Sequence, residues 1–105
     1  MQLLLDESVP KALGFALSPY FVRTAQTAGF AGLLNGELMF AMKAAGYDVL
    51  ITFDQNLPYQ QNANLPVAVL VLKAKDNRVA TALSFASKIL ALLENELPPQ
   101  VVVLE

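Results

Sequence analysis

Two short apolar runs in this chain stop at acids, and that repeat constrains the fold more than any other feature. The run from Tyr47 to Phe53 ends in Asp54, with Asn56 two residues on, and Leu3-Leu4-Leu5 ends in Asp6-Glu7. A run this short and this apolar reads as a strand buried on both faces, and the acid marks where solvent begins. Two such ends can lie side by side only if both strands run the same way in one sheet. In open parallel sheets the carboxyl ends of the strands form the ligand-binding edge.

The remaining segments fit such a sheet. Gln2–Leu5 reads as the first strand, followed by Ser8 as an N-cap and Pro10 in the first turn of a helix. That helix carries Ala12, Leu13, Ala16 and Leu17 on one side, and Ser18-Pro19 ends it. Residues 20–24 form a β-branched and aromatic second strand, and residues 25–36 read as a loop with Gly29, Gly32 and Asn35-Gly36. A nearly continuous apolar helix opens at Asn35-Gly36-Glu37 and runs to Ala44 or Ala45, with Gly46 as the C′ glycine. The third strand spans 48–53, a polar loop 57–64 and the fourth strand 67–72. A long helix capped by Asp76-Asn77 covers 78–95, with Val79, Leu83, Ala86, Leu90 and Leu93 at helical spacing, and Val101–Leu104 is a final strand. The order β-α-β-loop-α-β-loop-β-α-β predicts a three-layer α/β/α domain over 1–105, built on a mostly parallel four- to five-stranded sheet with right-handed crossovers.

Composition narrows the chemistry. With 55% hydrophobic and 15% charged residues in 105, the chain is more apolar than the usual ~45–50% and less charged than the usual ~25%. It can therefore fill a core and still leave an apolar surface, which predicts a homodimer or higher assembly. No apolar stretch reaches the ~18 residues of a membrane span, and Asp6 and Glu7 fall too early for a signal peptide. The expectation is a soluble cytoplasmic protein. Without cysteine or histidine, thiolate sites, His-rich zinc sites and histidine acid–base chemistry are excluded, so any metal is held by oxygen, as magnesium and manganese prefer. A net charge of -2 and a pI near 5.0 argue against a broad nucleic-acid-coating surface but allow a local basic patch.

The expected topology gathers particular residues at the carboxyl edge. Asp6 follows strand one, Glu37 lies in the first turn of the helix before strand three, and Asp54 and Asn56 follow strand three. Lys73 and Lys75 follow strand four, and Arg78 opens the last helix. Singly, each has a plain role: Asp6 as a helix cap, Glu37 as a helix-dipole partner, Asp54 and Asn56 as turn residues, the three cations as a solvated loop. Together, three carboxylates and an amide suit a hard cation, which can activate a water for phosphodiester hydrolysis. The neighbouring cations would grip phosphates.

On these residues the chain resembles the PIN-domain proteins, in particular a small PIN-like branch of unknown function grouped with VapC-type toxins. The resemblance spans nearly the whole chain. It rests on Leu4-Leu5-Asp6-Glu7-Ser8-Val9-Pro10, on Gly36-Glu37-Leu38 followed by Ala41 and Ala45, on the run Val49 to Leu57 through Asp54 and Asn56, and on Asp76-Asn77-Arg78. It implies a magnesium- or manganese-dependent endoribonuclease, often the toxin half of a toxin–antitoxin pair. RNA would be the substrate, an antitoxin protein a partner, and Asp6, Glu37 and Asp54 the catalytic and metal-binding acids. The family's fourth acid, two residues after the third, is Asn56 here, which offers an oxygen without a charge and should weaken a second ion's binding. The basic or aromatic residue that usually follows is Leu57. Two other readings stay open: a non-catalytic PIN-like binding or assembly module, and a phosphoacceptor receiver domain using Asp6-Glu7, Asp54 and a later lysine. The receiver has too few βα units left after Asp54 and gives Glu37 no role.

Overall fold

The strand-forming runs end up where an all-parallel sheet needs them. The computed structural model describes residues 1–33, 35–56 and 65–105, and the expected polar loop at 57–64 lies outside them. In chain order come β1 (Gln2–Leu5), α1 (Ala12–Ala16), β2 (Phe21–Thr24), α2 (Asn35–Ala44), β3 (Val49–Thr52), β4 (Ala68–Leu72), α3 (Val79–Ser84), α4 (Ala86–Leu93) and β5 (Val101–Leu104). The five strands form one sheet in the order β2-β1-β3-β4-β5, and every neighbouring pair is parallel.

Side-chain alternation divides the apolar residues between two cores. Leu3, Leu5, Val49, Ile51, Leu70 and Leu72 point to one face, where Leu13 and Leu17 of α1 and Ala82, Ile89 and Leu93 of α3 and α4 cover them. Leu4, Leu50, Val69 and Val71 point to the other, under Leu38, Met39 and Met42 of α2. Burial on both faces is why β3 and β4 are apolar at every position up to Thr52, with no polar alternation. Gly46, at φ 93, closes α2 as expected. Its N–H reaches the Lys43 carbonyl at 3.1 Å and the Tyr47 N–H reaches Met42 at 2.9 Å, the pair of bonds that satisfies a helix's last carbonyls.

Three expectations need correction. Ser8 does not cap α1: the helix begins at Ala12, its cap residue Lys11 makes no side-chain capping bond, and Ser8 is engaged elsewhere. The single long helix over 78–95 is two helices that break at Phe85. There the Ser84 hydroxyl donates back to the Thr81 carbonyl, a contact that bends helices, and the Phe85 ring meets Phe53 edge-on. Nor do the crossovers share one hand. The β1-to-β2 and β2-to-β3 connections step in opposite directions and place α1 and α2 on opposite faces, so their hands agree. The β4-to-β5 connection steps in the same direction as β2-to-β3, yet α3 and α4 lie on the α1 face. Its hand is therefore opposite, and the rule that ~98% of such crossovers are right-handed makes it the left-handed one. The apolar stripe of α3 and α4 is buried in one cluster with α1, and α3 packs directly on α1.

Candidate functional site

The sheet reverses its direction of growth between β1 and β3. From β1 the chain steps outward to β2, whereas from β3 it steps the other way through β4 to β5. A reversal of this kind opens a crevice at the carboxyl ends of the two strands. Asp6 and Asp54 lie there: the Asp6 N–H bonds the Ile51 carbonyl at 2.9 Å, and Asp54 follows Thr52, the last residue of β3, by two positions.

Hydroxyls hold Asp6 in place. Ser8 Oγ donates to Asp6 Oδ2 at 2.9 Å, and Thr52 Oγ1 donates to the same oxygen at 2.7 Å. Each hydroxyl also accepts a backbone N–H from the β3 end. Phe53 N–H goes to Ser8 at 3.2 Å and Asp54 N–H to Thr52 at 3.0 Å. Both donors act on Oδ2, and no described residue donates to Oδ1. The other edge loops are tied to this centre. Asn77 Nδ2 donates to the Ser8 carbonyl at 3.1 Å, Gln55 Nε2 donates to the Ala74 carbonyl, and Glu7 Oε1 accepts the Gly32 N–H at 3.0 Å, anchoring the loop before α2.

The remaining expected site residues are distributed around this centre. Asp54 Oδ1 accepts the Asn56 N–H at 3.0 Å, so the pair forms an Asx turn, and Asn56 is exposed. Glu37 is exposed in the first turn of α2, the helix on the second face. Among the described residues no three acidic side chains stand close enough together to hold a metal ion, so Asp6, Glu37 and Asp54 do not form a three-carboxylate cage. Lys73 turns toward β5, 3.0 Å from Glu105; hydrogen bonding by Lys73, followed by its charge, lowers the Glu105 carboxyl below its ordinary value. Lys75 and Arg78 are exposed. Asp76 accepts from the Thr81 hydroxyl and the Arg78 N–H; these bonds, with a smaller contribution from the Arg78 charge, lower its carboxyl too.

Ser8, Thr52, Asn77 and Glu7 were not among the expected site residues. Thr52 carries a readable signal, since it is polar at the end of an otherwise apolar run and is only 1% exposed. Ser8 stands two residues from Asp6, whose carboxylate it bonds, whereas Asn77 carries no signal, because its contact joins segments 69 residues apart. Among the described residues the acids do not fit an ion enclosed by protein; an ion held mainly by water and one or two carboxylates would have to use Asp6 and Asp54. No protein-family model, curated protein or solved structure matches the chain.

Proposed function

We propose that the chain is a PIN-like, magnesium- or manganese-dependent endoribonuclease, with Asp6 and Asp54 as its central acids and a toxin of a toxin–antitoxin pair as its biological setting. The observation that carries this reading is the pairing of Asp6 and Asp54 at the strand-direction switch, with both hydroxyl donors on one oxygen of Asp6. An ion bound there would supply a polarised water and neutralise phosphate charge. The chain's own contribution is positional: Ser8 and Thr52 fix the Asp6 carboxylate, and the Asx turn fixes Asp54. Glu37, in the first turn of α2, and Asn56 belong to the same edge without joining the two-carboxylate centre, and Lys75 and Arg78 are the cations available for flanking phosphate. The test is cleavage of a quenched fluorescent RNA with magnesium or manganese. Divalent-dependent cleavage that disappears in Asp6→Asn and Asp54→Asn is expected; cleavage that persists in both would overturn the assignment.

The scattered acids favour a second reading, a non-catalytic PIN-like binding or assembly module. Phe15, Phe21 and Phe40 give it exposed apolar surface, and it predicts a stable oligomer with no cleavage by the wild type. The receiver-like reading shares the strand order but is disfavoured, because Lys73 follows β4 and is occupied by Glu105.

A further inference from the structure

We infer that β2 is a pairing edge: two copies of the chain join there through antiparallel β2 strands about a two-fold axis at Val22, so that their sheets become one. The inference goes beyond the nuclease reading and does not depend on it. β2 ends the strand order and pairs only with β1. The Ala25 N–H bonds the Leu5 carbonyl at 2.8 Å, and successive residues of a strand turn their backbone groups to opposite edges. Phe21 and Arg23 therefore bond toward β1, while Val22 and Thr24 turn their backbone groups outward. The Thr24 carbonyl accepts the Ala28 N–H at 2.9 Å. Among the described residues nothing takes up the Val22 N–H, the Val22 carbonyl or the Thr24 N–H. Such a row is a template for another strand, and no proline or bulge interrupts it. The open groove of about 590 Å³ between α1 and β2 leaves room beside Val22 for the side chains of an added strand.

The side chains on the other face select a second copy and a single register. Arg23 is the register partner of Leu4, which faces α2. Phe21 lies on that same face against Tyr47, with ring centroids 6.4 Å apart. Tyr47 is buried and also meets Phe30 edge-on, so the Phe21 ring is held from one side while it stays 52% exposed. Arg23 is exposed, and among the described residues it makes no ion pair and covers no ring. A two-fold axis at Val22 lets each Val22 exchange both backbone bonds with its counterpart. It also sets Arg23 directly opposite the partner's Phe21, in the closely spaced kind of antiparallel pair. Each cation then meets a ring, twice per dimer. The next register that matches the outward groups pairs Val22 with Thr24 and sets the two Arg23 side chains opposite each other, which charge repulsion opposes. Because each copy uses the same edge, the assembly closes as a dimer.

The chain has no cysteine, so a single introduced thiol reports the register. Val22→Cys places two thiols at the axis, where the paired Cα atoms stand about 5.5 Å apart, within reach of a disulfide. Thr24→Cys places them four residues apart along the strands, about 13 Å, beyond that reach. Under mild oxidation Val22→Cys is expected to give a covalent dimer on non-reducing electrophoresis, and Thr24→Cys to stay largely monomeric. In sedimentation equilibrium the wild type is expected to move from monomer to dimer as concentration rises. Arg23→Ala is expected to weaken that dimer about fivefold to thirtyfold, as two exposed cation–π contacts are lost. Arg23 is exposed, so this variant tests the edge even if Val22→Cys disturbs the close approach of Val22 to Gly14. A wild type that stays monomeric at every concentration, a dimer that Arg23→Ala leaves unchanged, or equal crosslinking at both positions would overturn the inference. RNA cleavage is read separately, so this edge and the Asp6–Asp54 assignment can fail independently.

Discussion

Replacing Thr52 by Val removes one hydroxyl and almost no volume, and it probes the junction on which the proposed site depends. The lost bond to the Asp6 carboxylate (2.7 Å) is of the charged kind, worth about 1.5–3 kcal/mol, and the Asp54 N–H (3.0 Å) loses its acceptor at a further cost of about 1 kcal/mol. Burying a methyl group in place of a hydroxyl returns about 1 kcal/mol. The net expectation is destabilisation by about 1.5–3 kcal/mol, read by urea unfolding as a midpoint lowered by about 1–2 M at an unchanged slope. Thr52→Ser keeps the hydroxyl and should lose only about 1 kcal/mol. In an Asp6→Ala background the charged partner is gone, so Thr52→Val should cost about 1 kcal/mol or less. A Thr52→Val protein within about 0.5 kcal/mol of wild type, or an equal cost with and without Asp6, would mean that the Thr52 hydroxyl does not hold the Asp6 carboxylate.

Core and surface should respond differently. Leu50→Ala and Leu70→Ala remove fully buried side chains from opposite faces of the sheet and should each cost about 2–5 kcal/mol in chemical unfolding, whereas Phe40→Ser, at a 68% exposed position, should stay within about 0.5 kcal/mol. Acid should act through two surface carboxyls. Asp76 is lowered from 3.8 by the Thr81 and Arg78 hydrogen bonds, and Glu105 from 4.5 by Lys73. A carboxyl lowered by folding stabilises the native state above its unfolded value and loses that effect as pH falls through the folded one. The double variant Asp76→Ala/Glu105→Gln should therefore show a shallower loss of thermal stability below about pH 4 and match the slope of wild type near neutrality.

The parallel α/β class was legible because it depends on local signals: apolar runs of strand length, Gly46 after a helix, and acids that end strands. Two of the five strands, Gln2–Leu5 and Val101–Leu104, coincide with their expectations, and the other three start one residue later than expected. What the sequence hid is non-local. The break at Phe85 leaves the apolar spacing from Val79 to Leu93 intact, so periodicity reads straight through it. The reversed β4-to-β5 crossover follows from which helices share a cluster, which no run of residues encodes. At the site, Asp6 and Asp54 were legible as acids closing adjacent apolar runs. Glu37 was placed at the correct end of its helix, but end-of-helix position does not fix the distance to a carboxylate on another layer. Ser8 looked like a helix cap because a serine before a proline-started helix usually is one; here Asp6 and the Phe53 N–H compete successfully for its hydroxyl.

Calorimetric titration of magnesium or manganese into the wild type, Asp6→Ala and Asp54→Ala asks whether Asp6 and Asp54 hold an ion together. Binding by the wild type that is lost in both variants is expected, because two carboxylates and water would be all that held the ion. Absence of binding at millimolar metal, or binding that survives both substitutions, would contradict that expectation.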